Sequence, residues 1–583
     1  MLIKDFPSDE TINAIYDQIP EDSLEHMVLS GMFRQDMGAA INPVETIASS
    51  DVCTEFADTY MYVYMPQRLP HGCPAVLVLS PQEDAAEYLE STGWTDLADR
   101  EKIAVIGLYS KTGWTDPAYD LSLAKRAQKL VLDRKYYNIG KTFLYLAAYG
   151  KSVCTAEKLI LSNPDSFSGL ALVGQDGCGK DELDKLGKMA SKVFWIPMES
   201  VACPLHIFTD KVSEANKAVR DLFIKCNHSD PEPYTRKGAS YYMPDRDHDD
   251  NWVQSENVAI VSVYEDPDLD PLSHALTDRI WSELKKSFRS LDIINSNTHS
   301  FRTMEGWGFE PRSIQLGKWV RTWQEYVPEE ARRGHKCPLV IDLHGGSSTP
   351  QLAVLQHGWA QVAKVRGLFL AVPFGSLRRI NNGMMPHPAW NANGKSAAQD
   401  DFEFLDAMIN DMLDRYPQID RERIYLMGHS MGAAMVYQVA LKMPDRFAAF
   451  AANSGVIRGG FYGSMQAPEG KGDYRVPIIV QMGELDRGGG TFKLNNDAKN
   501  TITYWISRNN AGDIDDPAVY RNGPYYHKVY CDPDGIPAVQ YITTDNKPHC
   551  CTYQDCLMYY DEFFSKFRRS ADGTIFYMGR QMR

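Results

Sequence analysis

Residues 428–432 read Gly-His-Ser-Met-Gly, which places Ser430 between two glycines. Such a serine has chemical meaning where a strand turns sharply into a helix, because the turn lifts its hydroxyl clear of the sheet. The flanking residues fit that setting. Residues 424–427 are an apolar, strand-like run, and residues 433–443 have helix-forming composition and stop before Pro444. A serine hydroxyl is a weak nucleophile alone and needs a base and an acid that orients the base. In chain order these are expected as serine, acid, histidine. The next strong strand, residues 477–482, runs into Gly-Glu-Leu-Asp, so Asp486 is the expected acid, with Glu484 as its competitor. The last strand, residues 538–544, is followed by a polar loop and then His549, the expected base. His527 precedes that strand and so falls on the wrong side, and His387 lies in a long loop.

An acyl-transfer site also needs donors for an oxyanion. The backbone N–H of Met431, at the helix start, is one. The second is expected from the Leu-His-Gly-Gly-Ser run at 343–347, at Gly346, with Gly345 or Ser347 as alternatives. His344 reads as a residue that orients this loop, and His429 as a packed residue of the turn. Both are also marked, with Trp390, as candidates for touching substrate. Trp390 lies with Met384 and Met385 in a loop suited to an apolar or aromatic acyl pocket.

Two matching halves must position these residues. Residues 73–79 (CPAVLVL) resemble residues 337–343 (CPLVIDL), and a Gly-Trp pair follows each, at Gly93-Trp94 and Gly358-Trp359. Tyr145-Leu146 aligns with Tyr425-Leu426, and Leu161, Pro164, Asp165 and Phe167 with Leu441, Pro444, Asp445 and Phe447. Strands alternating with helices in the same order predict an α/β protein. Two tandem domains are expected, 1–295 and 296–583, each a mostly parallel sheet flanked by helices. The aromatic-rich segment up to Lys336 is expected to add antiparallel strands to the second sheet.

The first half has lost the chemistry. Gly150 falls opposite Ser430, Ala148 opposite Gly428 and Ser152 opposite Gly432. Ser80-Pro81-Gln82 replaces His344-Gly345-Gly346, and proline has no N–H to offer an oxyanion. Asp210 and His274 lie in plausible regions without forming a clear pair. Residues 1–295 therefore read as a degenerate, non-catalytic copy that packs against the second or helps wall its site, with a ligand-binding module as the alternative.

The 583 residues carry a net charge of −15, with 44% hydrophobic and 23% charged residues. That composition excludes general disorder, and the acidic balance argues against nucleic-acid binding and a polybasic membrane anchor. No secretory signal or membrane span is visible, so a cytoplasmic location is expected. The 11 cysteines are scattered without C-x-x-C spacing, which fits reduced thiols better than a disulfide framework. Cys550, Cys551 and Cys556 crowd the His549 loop and read as packing residues. Residues 174–180 fit G-x-x-x-x-G-K, but Asp181 stands where magnesium would need a hydroxyl. The acidic run 245–250, with His248, reads as a solvated loop. No metal or cofactor is expected.

The second half, over about residues 315–570, resembles the polyhydroxybutyrate-depolymerase and feruloyl-esterase branch of the α/β-hydrolases. The resemblance rests on PLVIDLHGG, DDFEFLDAMINDML, RIYLMGHSMGAAM, PDRFAAFAANSG, the GELD turn and His549 before a final helix. It implies a Ser430–His549–Asp486 triad and hydrolysis of feruloyl, acetyl or hydroxyalkanoate esters through an acyl-enzyme. The expected partner is a small-molecule ester, and homo-oligomer formation stays open. Peptidase and acyltransferase chemistry share the same triad, and a non-catalytic scaffold of two hydrolase folds is the reading from a different class.

Overall fold

The computed structural model describes residues 1–18, 26–39, 53–133, 137, 139–188, 202–244, 259–289, 298–300, 304–378, 387–392, 400–456, 466–486 and 496–582. The acidic run 245–250 and the pair Met384 and Met385 lie outside the described residues.

Two large mixed sheets carry the chain. The second runs, in spatial order, Phe309–Leu316, Trp319–Tyr326, Phe369–Pro373, Cys337–Leu343, Ile419–His429, Ala449–Asn453, Ile478–Gly483, Pro537–Thr544, Tyr525–Cys531, Ala518–Asn522. The strands from Phe369–Pro373 to Pro537–Thr544 are parallel. Antiparallel pairs close both edges. The aromatic-rich segment thus supplies the expected antiparallel strands. Cys337–Leu343 is buried throughout, as an apolar run covered by helices on both faces must be.

The first sheet repeats this order, with one extra edge strand, Ile3–Asp5. Its parallel centre holds Ala104–Leu108, Cys73–Leu79, Ile139–Tyr149, Gly169–Val173, Leu205–Thr209 and Val261–Glu265. Even the irregularities match. The register shifts between Cys73 and Ala75 in one sheet and between Cys337 and Leu339 in the other. Pro74 and Pro338 stand at these points, where a missing N–H interrupts the ladder. A buried arginine clasps each half: Arg289 donates to the Phe167 and Ala202 carbonyls, and Arg569 to those of Phe447 and Arg475. Thr298–Ser300 pairs back onto Ser287–Arg289, so that pairing crosses the expected 295/296 division.

The chain leaves Cys337–Leu343 toward one edge of the sheet and returns on its other side at Ile419–His429. The strand order reverses between these two, and a crevice opens at such a point beyond the carboxyl ends of the strands. The His344 loop and Ser430 flank it.

Candidate active site

Ser430 joins the strand Ile419–His429 to the helix Met431–Lys442 with φ 54° and ψ −111°. A non-glycine residue pays for such a backbone, and it persists only where its surroundings enforce it. Two close approaches do so. A Cβ on Gly428 would lie 2.3 Å from the Gly432 carbonyl oxygen, and one on Gly432 would lie 2.1 Å from that of Leu343. The glycines of the pattern are therefore required by proximity. The Ser430 N–H donates to the Asn453 carbonyl at 2.8 Å, which ties the turn to the next strand.

His549 meets Ser430 from the other side. Its Nε2 lies 2.7 Å from Ser430 Oγ, and its Nδ1 lies 2.7 Å from Asp486 Oδ1. Nδ1–H donating to the carboxylate leaves the Nε2 lone pair facing the serine hydroxyl, the arrangement in which it can accept the Oγ proton. The Asp486 side chain is 1% exposed and that of His549 42%, so the carboxylate is dry and the imidazole is partly open to solvent. Glu484 stays out of this chain, because its carboxylate accepts the Asn546 N–H at 2.8 Å.

The loop through Gly345 and Gly346 lies against the turn. A Cβ on Gly345 would touch His429 and Ser430, and one on Gly346 would be 3.4 Å from Met431 Cε. The Ser347 N–H is already bound to the Pro388 carbonyl at 2.8 Å, which removes Ser347 from the alternatives.

Three expected substrate contacts have other surroundings. His344 is fully buried: its Nδ1 donates to the Gly345 carbonyl at 2.7 Å, and its Nε2 accepts the Gly375 N–H at 2.9 Å. Both nitrogens are used by one neutral tautomer, and burial lowers the imidazole to about 4. Trp390 is 5% exposed and donates Nε1–H to the His344 carbonyl at 2.8 Å. These two buried side chains therefore anchor the loop that holds Gly345 and Gly346. His429 bonds Asn453 Oδ1 through Nδ1 at 3.0 Å, and its ring lies between those of His549 and His357. Burial first, then the repulsion of His549 and His357, holds its pKa well below the ordinary value, so it supports the base as a neutral ring.

Sequence reasoning missed the buried polar network under the His549 loop. Lys547 and Asp555 form an ion pair of 2.8 Å with both side chains at 0% exposure. Burial opposes the Lys547 charge, but Asp555 and the neighbouring Cys550 and Cys551 thiols outweigh it, and the ammonium is held above its ordinary value. Asp555 also accepts from Gln481 Nε2 at 2.7 Å and from the Thr552 N–H at 2.9 Å. Tyr559 and Asn453 extend the network to His429. The one signal in the sequence was a lysine two residues before the histidine, in a loop that otherwise reads as polar surface. His527, the rival base, is buried in its strand and stacked on Tyr520.

The first half has a turn of the same φ with glycine at its apex. Gly150 has φ 54°, and Ser152 Oγ donates to the Leu79 and Tyr149 carbonyls. Asp210 accepts from Gln175, and His274 Nε2 lies against the Ser91 carbonyl. Lys180 pairs with Asp184 along its own helix, so the G-x-x-x-x-G-K run makes no phosphate cradle. The cysteine expectation needs correction: among the described residues Cys154 and Cys178 are joined by a disulfide, and the other nine cysteines form none. They lie 24 residues apart, so only the fold brings them together. Cys550, Cys551 and Cys556 are buried, as packing residues are.

Residues 315–493 match the model of a family described as putative esterases. The second half resembles an esterase. Over 118 residues the chain is 30% identical to a bifunctional acetylxylan esterase/xylanase of Neocallimastix patriciarum, covering 20% of this chain and 16% of that protein. It is 29% identical over 168 residues to feruloyl esterase B of Neurospora crassa, covering 29% of this chain and 53% of that protein. It is 23% identical over 282 residues to poly(3-hydroxyalkanoate) depolymerase C of Paucimonas lemoignei, covering 44% of this chain and 64% of that protein. The chain thus spans between 16% and 64% of the length of these relatives. Among solved structures, an acetyl xylan esterase from Aspergillus awamori aligns with 44% of this chain and 99% of its own, at 16% identity and a TM-score of 0.33. Among the described residues no helix is long and apolar enough to cross a membrane.

Proposed function

We propose that the esterase-like half hydrolyses carboxylic esters of small molecules through an acyl-enzyme on Ser430. The unbroken chain from Ser430 Oγ through His549 to Asp486, with both links at 2.7 Å, carries this reading. His549 takes the Ser430 proton as Oγ attacks the ester carbonyl. Asp486 keeps the His549 tautomer and balances the imidazolium that forms. The N–H groups of Met431 and Gly346 receive the oxyanion, in the position that His344 and Trp390 fix for the loop. His549 then protonates the departing alcohol, and water, activated by the same base, releases the acid. The names of the relatives suggest acetyl, feruloyl or hydroxyalkanoate esters as the first substrates to test.

Intact-mass measurement after treatment with a fluorophosphonate probe tests the mechanism. One adduct is expected on the wild type and on Gly150→Ala, and none on Ser430→Ala. An adduct that survives Ser430→Ala, or a wild type that hydrolyses none of the three ester classes and takes no probe, overturns it.

A further inference from the structure

The disulfide of the first half lies one helical turn beyond Gly150, where the matching helix of the second half carries Ser430. Cys154 occupies the first turn of the helix Val153–Ser162, and Cys178 sits in the loop after the strand Gly169–Val173. Cys154 is half-buried and Cys178 is 1% exposed, so Cys154 is the more open end of the pair. Glu157, three residues further along the helix, is fully buried beside them. A carboxylate oxygen of Glu157 and the two sulfurs all lie within 4.8 Å of one another. Its Oε2 accepts the Cys178 N–H at 2.6 Å, and its Oε1 has no hydrogen-bond partner among the described residues.

A carboxyl group buried without full compensation is costly, and the bond from the Cys178 N–H satisfies one of its two oxygens. Reduction of the disulfide would use its proton, because the buried sulfur leaves as a thiolate in a dry site and must gain one. We propose that Cys154–Cys178 is an exchangeable disulfide open to dithiol reductants, and that Glu157 protonates the Cys178 sulfur as it leaves.

A thiolate of the dithiol attacks Cys154 Sγ. The new S–S bond forms as the Cys154–Cys178 bond breaks, and the electron pair goes to Cys178 Sγ, which takes the Glu157 proton. The second thiol of the reductant then attacks its own sulfur in the mixed disulfide. Cys154 leaves as a thiolate, favoured by the N–H groups of its helix start, and takes the proton this thiol gives up. Glu157 regains its proton from solvent, replacing the one the first thiol released there. The protein disulfide is reduced to two thiols and the dithiol is oxidised to a disulfide.

Burial raises Glu157 to about 8, so the carboxyl holds its proton at neutral pH. The charged groups that face it are Glu182, which raises it further, and Lys158, which lowers it.

The test uses the full chain, folded, with dithiothreitol as the reductant, alkylation of free thiols and peptide mass analysis of Cys154 and Cys178. Both cysteines are expected to be blocked to alkylation before reduction and open to it afterwards without denaturant. Glu157→Gln is expected to slow reduction at pH 7 by about a hundredfold, at the low end for a general acid. In the wild type, the rate per unit of dithiothreitol thiolate is expected to fall as pH passes through about 8, where Glu157 loses its proton. The wild-type series decides the matter if Glu157→Gln fails to fold. Free thiols before reduction, reduction only in denaturant, or a flat normalised profile between about pH 6 and 10 would each overturn the proposal.

Discussion

Gly150 and Ser430 sit at the same point of two matching turns, and both have a φ of 54°. Glycine adopts this backbone at no steric cost, whereas a side chain pays roughly 1–3 kcal/mol. The second half carries that strain at a residue with a hydroxyl, and the first half has a glycine there. Ser430→Gly is therefore expected to raise stability by about 1 kcal/mol while abolishing ester hydrolysis. Gly150→Ser is expected to lower stability by a similar amount and to gain no fluorophosphonate adduct. Denaturant melts and intact mass read both outcomes, and a Gly150→Ser protein with a second adduct contradicts them.

Asp486→Asn removes the carboxylate that holds the His549 tautomer and is expected to lower kcat by about 10⁴-fold with KM little changed. Glu484→Gln touches only the Asn546 N–H and is expected to cost less than about tenfold. Steady-state kinetics on one hydrolysed ester separate the two, and the reverse order would move the acid to Glu484.

Lys547 and Asp555 carry opposite charges in a fully dry site two residues from His549. Lys547→Met leaves Asp555 uncompensated and is expected to cost about 3–5 kcal/mol. Lys547→Met combined with Asp555→Leu removes both charges and is expected to cost less than Lys547→Met alone. Urea unfolding of the wild type and the two variants checks this, and a double variant less stable than Lys547→Met would show that the charge left behind carries no penalty.

His206 and His344 are buried neutral, each lowered by burial to about 4 from an ordinary 6.5. Between those values the unfolded chain binds protons that the folded chain does not, so stability falls as pH falls from 6.5 to 4. Each histidine contributes a slope of up to about 1.4 kcal/mol per pH unit in that window. Urea unfolding at several pH values is expected to show the fall, with a shallower slope in His206→Gln. An unchanged slope in that variant would mean the ring is protonated in the folded state.

Gly432→Ala forces a Cβ against the Leu343 carbonyl, and no flexible side chain there can give way. It is expected to cost more than about 3 kcal/mol, since the strand and the helix must part. Gly346→Ala meets only the flexible end of Met431 and is expected to leave stability within about 0.5 kcal/mol of wild type. Thermal melts of both variants check the contrast.

The order of Ser430, Asp486 and His549 along the chain, their places past the ends of strands and the repetition of the fold were determined by the sequence. Each depends on local signals: apolar runs bounded by proline, a glycine-spaced turn, a polar loop before a final helix. The tertiary structure alone decided which neighbours of the triad face the crevice and which hold it up. His344 reads as a residue that orients its loop and as a candidate substrate contact, and only the fold supplies the partner of its second nitrogen, the N–H of Gly375, 31 residues away. Lys547 lies in a loop that reads as polar, yet its side chain is fully buried against Asp555. Cys154 and Cys178 read as two unrelated thiols until a helix and the loop of the next strand bring them together. The physical reason is the same in each case. Periodicity and turn chemistry fix where an element begins and ends, while burial and pairing depend on which distant segment packs against it.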